Sequence, residues 1–472
     1  MRSRLLLLAA ALCAFGASLG SGFHFDDYAI FSDPLIKSPW GWLEIWGLRQ
    51  TRPLTHLTFW LNYQASGANP LGYHALNLAL HLAAVVLAYE CLRRLLPERA
   101  AWLAAALFAV HPLQAEAVDY IWGRSIVLAA IFCFASLLSW IEDRPWLAVA
   151  WFAAALLAKE ECGAFPLLLL LLDRKRLAPI LAMFALSAAA GARVLYALAL
   201  TPGAPAAFHA GISPANYLLA EGPVILRYLR LLLAPYGFTV DPDLRIPPLW
   251  LGLAAWGAIL AVAVFAGRSK RAWATWLLAG FFLLLPSSSL IPAADLSADR
   301  RMYLPLFAFA AAAGILLARV PLRAAAPALV AVLTLVSVSR TWVWMSEESL
   351  WREAVRRAPR KVRPKIQLAR SVRAAEALEL LNQARALEPY NAQVAAETGK
   401  VLLDEHQPEA ALVEFGRALA IAPRDAQNLN NRGVALAELG QTEAARADFE
   451  RALAIDPGLT ESRENLRKLP AR

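Results

Sequence analysis

The side chains best equipped for chemistry in this chain sit in short polar breaks between long apolar runs. Phe23-His24-Phe25-Asp26-Asp27-Tyr28 places two adjacent carboxylates directly after the first apolar run. Carboxylates beside a low-dielectric surface have perturbed proton affinity, so one of the pair is suited to be a general base; the other reading is a solvated loop end. Arg52-Pro53-Leu54-Thr55-His56 and Asn62-Tyr63 continue the same break. His74, Asn77 and His81 follow at helical spacing and make one polar stripe, for interhelical hydrogen bonding or for ligand contact. The turn from His111 to Arg124 holds Glu116 and Asp119 and ends in a guanidinium. Arg124 there either meets phosphate oxygens or pairs with Glu116 or Asp119. A last break carries Asp295, Asp299, Arg300, Arg301 and Tyr303, which put cations at lipid-headgroup depth.

Membrane helices must position these groups. The 472 residues are 59% hydrophobic and 18% charged, with mean hydropathy +0.46, which indicates a multi-spanning membrane protein. Apolar runs near 4–21, 73–92, 99–116, 125–141, 145–158, 162–173, 177–200, 249–267, 272–290, 303–319 and 324–342 give about eleven spans. Lys159-Glu160-Glu161 divides two short ones. Residues 216–234 carry Glu221, Arg227 and Arg230 and read as an interfacial helix. The first run reads as an uncleaved span, although Ala17-Ser18-Leu19-Gly20 offers the small residues of a signal-peptide cleavage site. Arg2 and Arg4, Arg93, Arg94 and Arg99, Arg144, Arg174 to Arg176, Arg268 to Arg271, Arg319 and Arg323 then fall on one side, expected to be cytoplasmic. The acidic pair, the His111–Arg124 turn, Lys159, residues 201–248 and 287–302 and the C-terminal region fall on the other. The net charge of +9 is therefore an orientation signal and does not call for nucleic acid. Cys13, Cys91, Cys133 and Cys162 lie in or beside apolar runs with no metal-ligand or disulfide spacing.

Past residue 345 the solvent changes. Pro389, Pro423 and Pro457 recur every 34 residues, and Gly399/Gly433, Ala411/Ala445, Phe415/Phe449 and Ala418/Ala452 keep the same period. Small residues where paired helices approach, an aromatic knob and a helix-ending proline make the tetratricopeptide pattern. It is strong over 391–457 and weaker over 360–390, with Leu350 to Ala354 as the tail of a degenerate unit. The expected fold is all-α: a polytopic bundle over 1–345, then a soluble α-solenoid over 346–472. Its groove is a peptide-binding surface, or else a lid or oligomerisation surface.

The runs Phe25-Asp26-Asp27-Tyr28, Arg52-Pro53-Leu54-Thr55, Leu61-Asn62-Tyr63, Gly72 to Leu78, Leu80-His81, Leu107 to Pro112, Glu116-Ala117-Val118 and Gly123-Arg124 closely resemble the transmembrane and tetratricopeptide-repeat family. Its members are O-mannosyltransferase-like proteins of the GT-C glycosyltransferase fold. Leu285 to Leu290 and Ala298 to Pro305 resemble a later family stretch, with Ser289 where asparagine is usual and Asp299 where glutamate is usual. The resemblance implies transfer of one sugar, mannose among the candidates, from a polyprenyl-phosphate carrier to a hydroxyl. The acceptor it suggests is serine or threonine of an exported protein, gathered by the repeats at the outer face of a plasma membrane. It also implies Asp26 or Asp27 as the base; adjacency does not say which. Arg124 would stabilise the departing phosphate, helped by Arg300 or Lys159. Arg52, His74, His111, Glu116 and Asp299 complete the expected substrate-binding set. GT-C proteins differ on divalent metal use, and the sequence leaves that open. The competing class is a non-enzymatic membrane scaffold whose repeats dock an envelope or secretion partner. A transporter ranks third, because no broken helices occur in matching halves.

Overall fold

A computed structural model describes residues 1–47, 50–200, 212–288, 295–321 and 325–470, and these contain helices and no strand. Ser289, Leu290 and Arg323 lie outside the described residues, as do residues 201–211 of the expected outer loop. The chain divides into two compact units: Met1–Val240 with Leu244–Ser346, and Asp241–Asp243 with Glu347–Arg472.

The first unit places a helix at every expected apolar run. Among the described residues, seven helices are long and apolar enough to cross a membrane, or eight if Glu98–Val110 and Pro112–Asp119 form one bent span. Pro145–Ala158, Ala272–Leu284 and Phe165–Leu172 are helical but shorter than a full crossing. At 1.5 Å per residue, an eight-residue helix reaches about 12 Å, well short of a ~30 Å hydrocarbon core. The count of eleven thus comprises eight candidate crossings and three short apolar helices. Charged and proline residues end the short ones early, which a hydropathy window cannot see.

Burial sorts the spans. Only 17% of the apolar window of Leu177–Ala197 and 22% of that of Leu249–Arg268 is covered by protein, whereas Ile121–Ile141 and Asp299–Leu317 are each 72% covered. Apolar surface left uncovered on the first pair is the face a bilayer would take; the second pair forms the centre. Close packing at that centre depends on small residues. A Cβ on Gly314 would lie 2.5 Å from the Ala100 carbonyl oxygen, so only glycine lets Tyr303–Leu317 meet Glu98–Val110. Pro112 removes an amide donor and pushes His111 into extended backbone, breaking the span with a 46° bend. The segment beyond the bend carries Glu116, Asp119 and Tyr120. Pro214–Leu233 is a continuous 20-residue helix that is not among the helices apolar enough to cross a membrane.

In the second unit, Val362–Ala369 pairs with Ala374–Leu387, Ala392–Asp404 with Pro408–Ile421 and Ala426–Glu438 with Thr442–Ile455, ahead of a last helix Thr460–Lys468. Phe415 and Phe449 are fully buried knobs. Their rings fill the space that a Cβ on Gly399 or Gly433 would take, 2.7 and 2.6 Å away, which is the physical content of the 34-residue period.

Candidate active site

The two carboxylates have opposite environments. Phe25 adopts φ +44°, rare for an aromatic residue, at the turn that leads into Asp26 and Asp27. Asp27 is fully buried; its Oδ2 accepts the His24 N–H at 3.0 Å and its Oδ1 the Trp122 N–H at 2.9 Å. It stitches the first polar break to the Ile121–Gly123 turn. Burial pushes its carboxyl up to about 7, against the two amide donors and His24. Asp26 is exposed, and its Oδ2 accepts the Tyr120 hydroxyl at 3.0 Å.

A set of paired charges begins on the Tyr120 ring. The Arg300 guanidinium sits 5.8 Å from the Tyr120 ring centroid and grips the Glu116 carboxylate, whose Oε2 also accepts the Arg300 N–H at 3.3 Å. Asp299 receives Arg227 Nη1 at 2.6 Å. Arg52 donates to both oxygens of Glu160, at 2.5 and 3.0 Å. Lys159 is buried with its Nζ 3.3 Å from Glu161. Burial works against the Arg52 cation, but Glu160 more than offsets it and holds the guanidinium above its usual range. Burial likewise opposes the Glu160 charge, and Arg52 overrides it to give about 2. Burial pushes Lys159 down to about 8; Glu161 opposes the shift, while Arg52 and Arg300 add to it. That mutual repulsion means the three cations share one electrostatic field. Arg52 and Arg300 keep 24% and 23% of their side-chain surface open, enough to turn one arm towards a ligand.

Arg124, His74 and His111 are placed differently. Arg124 is fully buried and spends its donors on the protein: Nε on Asn77 Oδ1 at 2.7 Å, Nη2 on the Tyr73 carbonyl at 3.0 Å and Nη1 on the Thr58 carbonyl at 3.3 Å, with Phe59 beneath it at 4.8 Å. A guanidinium so engaged clamps three segments and has no arm for phosphate in this structure. Gly123 lets it approach, since a Cβ there would meet the Ala117 carbonyl oxygen at 2.7 Å. His111 uses both ring nitrogens, on Leu232 O and Leu113 N. His74 Nε2 lies 3.0 Å from the Gly22 carbonyl oxygen and supports the break that carries Asp26. The stripe His74, Asn77 and His81 is interhelical hydrogen bonding: Asn77 Nδ2 reaches Tyr120 O at 3.1 Å, and His81 reaches Tyr303 and Ala109. Sequence reasoning passed over Glu160 and Tyr120. Glu160 is 108 residues from Arg52 with nothing local to signal the pair, and Tyr120 stood inside a quoted motif with no chemistry attached to it.

A tetratricopeptide-repeat family profile matches residues 399–470. The mouse protein O-mannosyl-transferase TMTC3 is 33% identical over 180 residues, 33% of this chain and 20% of that one. Over part of its length the chain is similar to the protein O-mannosyl-transferases of the TMTC group. Drosophila melanogaster Tmtc1 is 44% identical over 117 residues, 23% of this chain and 14% of its own length. Drosophila melanogaster Tmtc2 is 31% identical over 284 residues, 49% of this chain and 30% of its own. The chain therefore spans less than a third of the length of these relatives. Among solved structures, ArnT from Cupriavidus metallidurans bound to undecaprenyl phosphate overlays on 94% of this chain and 79% of its own, at 12% identity and a TM-score of 0.41. The protein is a multi-pass membrane protein, all-helical among the described residues, whose second unit matches the tetratricopeptide-repeat profile.

Proposed function

We propose that this protein is a membrane glycosyltransferase that moves one sugar from a polyprenyl-phosphate carrier to a hydroxyl acceptor, with Asp26 as general base. The observation that carries this reading is the one exposed carboxylate of the acidic pair held by the Tyr120 hydroxyl, while the Tyr120 ring carries Arg300, which shares a field with Arg52 and Lys159. Asp26 takes the proton of the acceptor hydroxyl as its oxygen attacks the anomeric carbon. The bond from that carbon to phosphate breaks, and the electron pair leaves with the polyprenyl phosphate. Arg300, Arg52 and Lys159 stabilise the charge that develops on the departing oxygen. Asp27, His74 and Arg124 hold the loops in place. Glu116, Glu160 and Asp299 keep the cations extended until phosphate competes for them. Named relatives that are protein O-mannosyl-transferases support mannose as the sugar and a protein serine or threonine as acceptor. The distribution of Arg and Lys supports a cytoplasmic N-terminus, with the site and the repeats on the outer face of a plasma membrane, where the repeat groove gathers the acceptor.

Reconstituted protein given radiolabelled polyprenyl-phosphate-mannose and a serine- and threonine-containing peptide should label the peptide. A protein that binds the peptide equally with and without the lipid, and labels nothing across several sugar donors, is the scaffold instead.

A further inference from the structure

We infer that Tyr120 is a positioning residue that aims Asp26 and ties it to the cation receiving the phosphate. This rests on Asp26 acting as the base and adds a residue that neither motif nor charge picked out.

An exposed carboxylate on a kinked turn has free rotamers, and a base must hold one oxygen where the acceptor proton will be. The Tyr120 hydroxyl does this from two directions. It donates to Asp26 Oδ2 at 3.0 Å and accepts the Asp26 backbone N–H at 3.3 Å, fixing main chain and side chain of one residue with one group. Oδ1 takes no hydrogen bond among the described residues and stays available to a hydroxyl. Tyr120 is itself immobile. It is 2% exposed and its ring stacks on Trp344 at 5.8 Å and 26°. The Phe25 ring meets it edge-on at 5.8 Å, and its carbonyl accepts Asn77 Nδ2, which belongs to the Arg124 clamp. The same ring carries the Arg300 guanidinium at 5.8 Å. Hydroxyl and ring face thus set the spacing between base and cation, the two groups that act on opposite sides of the reacting carbon. Burial, with Asp27 and Asp26 close by, holds the hydroxyl proton well above its ordinary range, so Tyr120 donates throughout and is not a competing base.

Tyr120→Phe separates the roles, because it keeps the ring with its stacking and its cation contact and removes only the hydroxyl. With polyprenyl-phosphate-mannose and an acceptor peptide, kcat should fall about 10-fold or more, while the KM for the lipid donor stays within about 2-fold. The melting temperature should match wild type. An unchanged kcat overturns the proposal. So does a lower kcat with donor KM rising in step, because the hydroxyl then serves the phosphate side and not Asp26. Asp26→Asn, run alongside, tests the underlying reading separately: wild-type transfer in that variant removes the base itself, whatever Tyr120→Phe does.

Discussion

Replacing Asp26 and Asp27 one at a time by asparagine should split stability from chemistry across two adjacent residues. Asp27 accepts two backbone amides with its two oxygens. An asparagine there has one oxygen and one NH2, so one buried N–H faces another donor. Leaving such a group unsatisfied costs about 1–3 kcal/mol. The cost depends on pH with a sign fixed by burial. The folded-state value of about 7 lies above the ordinary value of 3.8, so the folded protein holds the proton more tightly. Stability from this group is full below about pH 4 and is lost as pH rises to about 7, at up to about 1.4 kcal/mol per unit. Asp27→Asn does not titrate, so its deficit against wild type should be largest at acid pH, close as pH rises and reverse near neutrality. Asp26 is exposed, and an amide oxygen can still accept the Tyr120 hydroxyl. Asp26→Asn should therefore change stability by less than about 0.5 kcal/mol and lower transfer about 10²–10⁴-fold. Thermal unfolding in detergent between pH 4 and 8, with transfer rates on the same samples, reads both. Asp26→Asn with full activity, or Asp27→Asn with unchanged stability and no activity, would refute the assignment.

Further outcomes follow from the same geometry. Lys159, held near 8 by burial, loses its charge as pH rises past that value, so the donor KM should climb above pH 8, and Lys159→Arg should flatten the climb; equal profiles would remove Lys159 from phosphate binding. Arg124→Lys keeps the charge but loses the fork that holds Asn77, Tyr73 and Thr58. It should cost about 2–4 kcal/mol in thermal unfolding and leave the donor KM of the folded fraction unchanged, whereas a raised KM with normal stability would return Arg124 to the phosphate. Gly433→Ala drives a Cβ to within 2.6 Å of the Phe449 ring and should cost about 1–3 kcal/mol in unfolding of the full chain, despite the better helix propensity of alanine.

Hydropathy and a 34-residue period are properties of consecutive residues, so the helix at each apolar run and the repeat pairs were legible from the chain alone. Helix ends were less so. The His111–Pro112 break was visible, but the shortness of Phe165–Leu172 depends on where the 3-10 turn Glu160–Ala164 takes over. Within the site, the residue types were legible and their roles were not. Arg124 has the chemistry of a phosphate ligand, yet its partners are two carbonyls and an amide from segments up to 66 residues away. Neighbouring aspartates look alike in sequence, but consecutive positions at the start of the helix Asp27–Ser32 point different ways, and the fold buries Asp27 and leaves Asp26 at the surface. Such differences come from tertiary contacts that no local pattern encodes.

The most direct measurement is a balance of products in reconstituted vesicles, with mannose on the peptide and free polyprenyl phosphate both counted for wild type and Asp26→Asn. One polyprenyl phosphate released per mannose transferred by wild type, and neither product from a folded Asp26→Asn, is the predicted result. Equal transfer by both proteins, or sugar lost to water with no labelled acceptor, would contradict acceptor activation by Asp26.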